Sequence, residues 1–173
     1  MYGVSELTEK VQTVFEISDL KKLSETLLEI VLTDNTSKYE LFVNLVKTLD
    51  VDWLQMIYQY WLADRENKKQ DYTPKSLALF LAKMITPEYG TVVDMCAGSG
   101  ALTIQAWAEN PHLEFECIEF DENVIPLLLF NLAIRNIKAI VKHQDVLSED
   151  LFAVYTVKPR EKYGKVTKIE TSN

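Results

Sequence analysis

The chain has 173 residues, 47% of them hydrophobic and 25% charged, with a formal net charge of −8. This is the balance of a soluble globular protein, long enough for one domain, or one domain with a helical extension, around a sizeable core. Its acidity excludes nucleic-acid binding by the overall field, so any DNA contact needs a local basic patch or a partner.

Cys96 and Cys117 are too few for a disulfide framework. The longest apolar run, Val124 to Ala133, is broken by Pro126 and Asn131 and is too short to span a bilayer. No signal-peptide pattern opens the chain, which reads as cytoplasmic. His112 and His143 lie far apart without ligand-like spacing, so no metal site is expected.

The first part reads as helical. Leu7, Val11, Val14 and Phe15 recur at helical spacing, as do Leu20, Leu23, Leu27, Ile30 and Val31. Ser37 and Glu40 have capping-box spacing ahead of Leu41, Phe42, Leu45, Val46 and Leu49. Asp50 is placed to cap a fourth segment with the face Trp53, Leu54, Ile57 and Trp61. The apolar and aromatic stripes read as core. A charged stretch, Asp64 to Gln70, is the candidate boundary. Thr73 then caps, and Pro74 opens, a helix expected to bury Leu77, Leu81, Met84 and Ile85 before Pro87 stops it.

From Thr91 the rhythm changes. Strand Thr91–Met95, helix Ala101–Ala108, strand Glu114–Glu119, helix Val124–Arg135 and strand Ala139–His143 make a βαβαβ run, which implies a parallel sheet. Pro126 fits the first turn of its helix if Asn123 caps it, and that helix is apolar almost all round, hence deeply buried or facing a partner. Beyond it, Ala153–Val157 and Lys165–Ile169 supply at most two short strands. Residues 158–173 carry a local net charge of +3, which reads as a solvated tail or as a phosphate-contacting one.

Ligands of such sheets bind beyond the carboxyl ends of the strands, where this sequence puts Asp94, Glu119 and Asp145. Between the first strand and its helix runs the turn Cys96-Ala97-Gly98-Ser99-Gly100. Gly98 and Gly100 let the backbone approach a ligand, and the turn amides with the helix start favour a carboxylate. Asp94 suits an ammonium group and Glu119 the two hydroxyls of a ribose. Phe120 can lie against an adenine ring, with Asp145 accepting from its amino group and the Val146 backbone beside it. A nicotinamide dinucleotide fits less well. The position of its third glycine is Thr103, and Asp94 repels a pyrophosphate, so the ligand read from these residues is S-adenosylmethionine. Cys96 reads as a small turn residue rather than a reactive thiol. Asp94 and Glu119 also admit a plainer role as acceptors for turn amides.

With Gln70-Asp71-Tyr72-Thr73-Pro74, Asp94 to Leu102, Glu119, Asn131-Leu132 and Gln144-Asp145-Val146-Leu147 in this order, the chain resembles the N-6 adenine DNA methylases. The likeness is strongest to the modification subunits of type I restriction–modification systems. The resemblance implies an α/β fold: a Rossmann-like, S-adenosylmethionine-dependent methyltransferase with a parallel sheet, here incomplete at its C-terminal side. It implies a helical region over 1–66, a cofactor-binding domain over 67–157 and a basic tail over 158–173. It also implies that Tyr72, Thr73 and Pro74 help to hold the cofactor's methionine end. The family's Asn-Pro-Pro-Phe, which receives the target amine and stacks on the flipped base, has no counterpart in this sequence; Pro159 stands in Lys158-Pro159-Arg160-Glu161. No residue is therefore assigned catalysis. Two expectations stand. One is a methyltransferase-like DNA methylase acting with a partner. The other is a cofactor-binding regulatory or structural subunit without catalysis. Expected partners are DNA, met through a partner subunit or the basic tail, and a second copy or a restriction–modification subunit. The edge of the shortened sheet is the expected contact.

Overall fold

The computed structural model describes residues 3–63, 73–85 and 87–170. The expected boundary at Asp64 to Gln70, and Tyr72 with it, lies outside the described residues. Four helices come first, α1 (Val4–Phe15), α2 (Leu23–Leu32), α3 (Thr36–Val46) and α4 (Trp53–Trp61), with a short 3-10 turn at Leu20–Lys22. Then follow α5 (Lys75–Ile85), β1 (Thr91–Asp94), α6 (Ala101–Glu109), β2 (Glu114–Glu119), α7 (Ile125–Ile134), β3 (Ala139–Gln144), β4 (Leu151–Lys158) and β5 (Lys165–Ile169).

The helical faces form as their spacing dictates. Leu7, Val11 and Phe15 of α1 are buried, as are Leu23, Leu27, Ile30 and Val31 of α2. The caps differ from expectation. Asn35 rather than Ser37 caps α3, accepting from the Lys38 amide, while Glu40 turns outward to Lys162 and Tyr163. Asp52 rather than Asp50 caps α4, accepting from the Gln55 amide at 2.9 Å. In both cases the acceptor directly before the first helical residue reaches the orphan amide three residues on.

The five strands form one sheet in the order β1-β2-β3-β4-β5. The expected parallel sheet holds for β1, β2 and β3 only; β3–β4 and β4–β5 are antiparallel, so the sheet is mixed. The short link between Gln144 and Leu151 is the reason. It closes a hairpin, whereas a parallel return needs a crossover of a dozen residues or more. The stretch read as a solvated basic tail thus contains β5. Arg160 pairs with Asp34 at 2.6 Å and Lys162 with Glu40, which draws the β4–β5 turn onto α3.

Helix α7 is the centre of the core. All ten of its residues are buried, and Pro126 sits in its first turn where no amide is needed. Asp121, not Asn123, accepts the amides at its entry. It lies on β3, β4 and β5, with α2 packed on its other side. Phe130 is ringed by Phe15, Tyr39 and Phe42, each meeting it edge-on with centroids 5.2–5.4 Å apart.

Helix α5 reverses its expected face. Ala78 and Ala82 are buried, while Leu77, Phe80 and Met84 are 47%, 59% and 67% exposed. Small side chains allow α5 and α6 to pack together, which turns the large ones outward. The sheet is likewise covered on one face. Phe115, Cys117, Val141 and Tyr155 point into the core, whereas Val93 and Ile140 are about half exposed. β1 pairs only with β2, so its outer edge is open among the described residues.

The Phe130 cluster makes a direct prediction. Phe130→Ala is expected to destabilise the fold by about 3–5 kcal/mol and to lower the melting temperature by roughly 10 °C. Calorimetric melting of the two proteins checks this.

Candidate functional site

Three adjacent parallel strands bring their carboxyl ends to one rim. Asp94 ends β1 beside Cys117 of β2, Glu119 ends β2 beside His143 of β3, and Asp145 follows β3 directly. Strands so paired lie about 4.8 Å apart, so the acids stand in a row. The sequence reading is met here in placement: the acids and the glycine turn share one end of the sheet.

The turn is shaped by its glycines. Gly98 (φ +55°) and Gly100 (φ +99°) adopt left-handed backbone that a side chain disfavours. A Cβ on Gly100 also meets Leu128 Cδ1 of α7 at 2.9 Å. The Ala97 amide donates to the Ile118 carbonyl, which pins the turn to the end of β2. Ala97, Ser99 and Gly100 are buried and Cys96 is exposed. Cys117 lies beneath, fully buried, with burial pushing its thiol up to about 12; it is a core residue.

The two acids flanking the turn are engaged. Asp94 accepts from Thr103 Oγ1 at 3.0 Å. Burial raises its carboxyl above the ordinary carboxylate range. The Thr103 and Cys96 hydrogen bonds oppose this, and the nearby Glu119 charge adds to it. Glu119 accepts three amides, Gly98 on Oε2 at 2.8 Å and Phe120 and Asp121 on Oε1 at 2.9 and 2.8 Å. A carboxylate has about four acceptor sites, so one remains, on Oε2. Asp145 folds back on its own loop, its Oδ1 accepting from the Leu147 amide at 2.8 Å; Val146 beside it is half-buried.

Phe120 is 60% exposed at the rim. It does not stand alone. Phe152 of β4 lies 6.2 Å from it, and His143 lies 4.8 Å from Phe152 and meets the Phe120 carbonyl through Nε2 at 3.0 Å. The sequence placed His143 at the end of a strand without a role at the rim, and Phe152 lay just before the expected short strand Ala153–Val157, whereas β4 begins at Leu151.

Thr73 and Pro74 reach the start of α6. With Asp52, Met56, Ala101 and Gln105 they help to line a cleft of about 420 Å³, and the Thr73 carbonyl accepts from Gln55 Nε2 at 3.5 Å. A second cleft of about 270 Å³ lies between α5, β1 and α6, against Asp94, Met95 and Ala82.

A further set of residues went unread. Beneath the turn, Ser99 Oγ donates to Asp52 Oδ2 at 2.6 Å, and Asn131 Nδ2 donates to Asp52 Oδ1 and to the Ser99 carbonyl, both at 2.9 Å. Arg135 donates to Asn131 Oδ1 and to the carbonyls of Leu49 and Val51. Burial raises the Asp52 carboxyl and lowers the Arg135 guanidinium to about 10, each opposed by the other's charge. Ser99 and the Asn131-Leu132 pair were noted in the sequence, but not their link to Asp52 and Arg135.

An α/β unit with a glycine turn after its first strand and an acid at or just after the end of each of its three parallel strands fits the methyltransferase-like class. The family model for the N-6 DNA methylases matches residues 49–166, and the chain belongs to that family. No curated protein and no solved structure matches the chain. The match begins within the helical part, at the link that Arg135 holds. No helix among the described residues is long and apolar enough to cross a membrane.

Two outcomes follow from the turn. Gly100→Ala forces a side chain into left-handed backbone and onto Leu128, and a loss of about 1–3 kcal/mol is expected from chemical denaturation. Asp94→Asn tests the buried acid. The folded state holds this carboxyl above its unfolded value, so its contribution to stability is greatest in acid and is lost as pH rises through the raised value. The melting temperature of Asp94→Asn is therefore expected to gain on that of the parent chain between about pH 4 and about pH 7. A constant difference across that range counts against the assignment.

Proposed function

We propose that this chain is the donor-holding part of an N-6 adenine DNA methyltransferase of the restriction–modification kind, a cytoplasmic protein that binds S-adenosylmethionine. The observation that carries the reading is the row of Asp94, Glu119 and Asp145 at one rim, with the Gly98–Gly100 turn opening beside the first two.

The residues present suit that cofactor. Asp94 is an acid raised by burial and by a like charge; an ammonium group at its carboxylate relieves both. The free acceptor site on Glu119 Oε2 takes one ribose hydroxyl, and exchange of the Gly98 amide opens a place for the second. The exposed Phe120 ring offers a face to adenine, with Asp145 and the Val146 backbone beyond it. Cys96, Ala97 and Ser99 shape the turn, and Thr73 and Pro74 flank the methionine end; the resemblance adds Tyr72 to them. When bound, S-adenosylmethionine supplies a methyl group on a sulfonium, already a strong donor. What these side chains do is bind and orient it, which is where much of the rate of such a reaction originates.

The acceptor side is placed outside residues 1–173. Residues 1–173 contain no Asn-Pro-Pro-Phe, and the edge of β1 that is open among the described residues stands next to Asp94, with Val93 and Met95 more than half exposed. An unpaired edge with apolar neighbours invites pairing. A second copy or a modification subunit on this edge brings acceptor groups beside the donor, and DNA is met through that partner. The ion pairs of Arg160 with Asp34 before α3 and of Lys162 with Glu40 on α3 favour this route over contact by residues 158–173. The same open edge also fits the second reading, a cofactor-binding subunit without turnover.

Calorimetric titration with S-adenosylmethionine decides the pocket. Micromolar to sub-millimolar binding is expected for the chain, with Asp94→Ala and Glu119→Ala each weakening it at least about tenfold; an absence of heat at millimolar cofactor overturns the reading. Incubation of the chain alone with labelled cofactor and unmethylated DNA is expected to give no incorporation beyond stoichiometry. Turnover by residues 1–173 alone refutes the placement of the acceptor side outside them.

A further inference from the structure

We infer that Asp52, in the helical part of the chain, is a positioning residue for the glycine turn, and that the α3–α4 link through it sets the affinity of the cofactor pocket. The inference rests on the S-adenosylmethionine reading for its ligand but not for its geometry. Asp52 is buried and lies 47 residues from the turn in sequence, yet its Oδ2 accepts the Ser99 hydroxyl at 2.6 Å. Its Oδ1 takes the Asn131 amide, which also donates to the Ser99 carbonyl at 2.9 Å. Ser99 is thus held at its side chain and at its backbone, between the two glycines whose left-handed backbone aims the turn amides.

Asp52 is itself held from three sides. The Gln55 amide donates to Oδ1. Arg135 grips the carbonyls of Leu49 and Val51, and Gln105 Nε2 donates to the carbonyl of Asp50 at 2.6 Å. Every carbonyl from Leu49 to Val51 is therefore tied to α6 or α7, the two helices that flank the turn. A buried charge with this many partners fixes one arrangement, because any other leaves it unpaired. A movement of the α3–α4 link therefore reaches the pocket through the Ser99 hydroxyl rather than through general packing.

The test uses the full chain, with Asp52→Asn, Ser99→Ala and, as a control, Leu27→Ala, which opens the α2–α7 packing without touching the link. Calorimetry with S-adenosylmethionine, melting temperature and the amide resonances of Gly98, Ser99 and Gly100 without ligand are measured for each. Ser99→Ala removes one hydroxyl and is expected to fold, to weaken binding about five- to tenfold and to shift those resonances. Asp52→Asn keeps the shape but not the charge and is expected to act in the same direction. Leu27→Ala is expected to lower the melting temperature while affinity and resonances hold. Unmoved Gly98, Ser99 and Gly100 resonances in Asp52→Asn, the variant distant in sequence, overturn the inference whatever ligand the pocket takes. Shifted resonances with unchanged affinity overturn its second half. If the parent chain does not bind S-adenosylmethionine, the ligand reading and the claim about affinity fall together, and shifted resonances still support the positioning role.

Discussion

Burying the Asp52 carboxylate and the Arg135 guanidinium together is the constraint on which the arrangement of this molecule turns. Two charges taken out of water are tolerated only when their remaining hydrogen-bonding capacity is met. Here Asn131 stands between them, its carbonyl oxygen accepting from Arg135 and its amino group donating to Asp52. Satisfying those atoms requires α4, α7 and the glycine turn to meet at one place. The helical part of the chain is thereby part of the pocket's foundation, and the family match starting at residue 49 takes in the link that the two charges hold.

The pocket above that foundation is built from opposing demands. Asp94 and Glu119 are close enough for their charges to oppose one another, and burial makes the first of them costly. Turn amides and the Thr103 hydroxyl offset part of this, leaving an acidic rim suited to a cation and to hydroxyl donors.

On the other side of β1 the sheet is left uncovered among the described residues. Parallel strands are ordinarily buried on both faces, but Val93 and Ile140 stand about half exposed and α5 turns Leu77, Phe80 and Met84 to solvent. The open edge and this apolar surface adjoin the acid that ends β1.

Much of this was legible in the chain itself. The periodicity of Leu7, Val11 and Phe15, the continuous apolar run around Pro126, and the order of acid, glycine turn and helix after Thr91 each specify a local structure that no distant contact needs to decide. They placed α1, α7, β1 and the row of acids. The face of α5 did not follow, because spacing alone does not tell whether leucines or alanines meet a neighbour; the close approach of α6 selected Ala78 and Ala82. The direction of β4 hung on a short link whose hairpin geometry appears only when the strands pair. The cap of α4 and the Asp52–Asn131–Arg135 cluster join residues 79 apart in sequence, and a lone Asp, Asn or Arg carries no local sign of its partner. The sequence by itself determined the elements and the chemistry at the strand ends, since both depend on neighbours in the chain. Only the tertiary structure decided which helix supports the turn and which sheet edge stays open, since both depend on which backbones come close enough to bury a charge or to leave a strand unpaired.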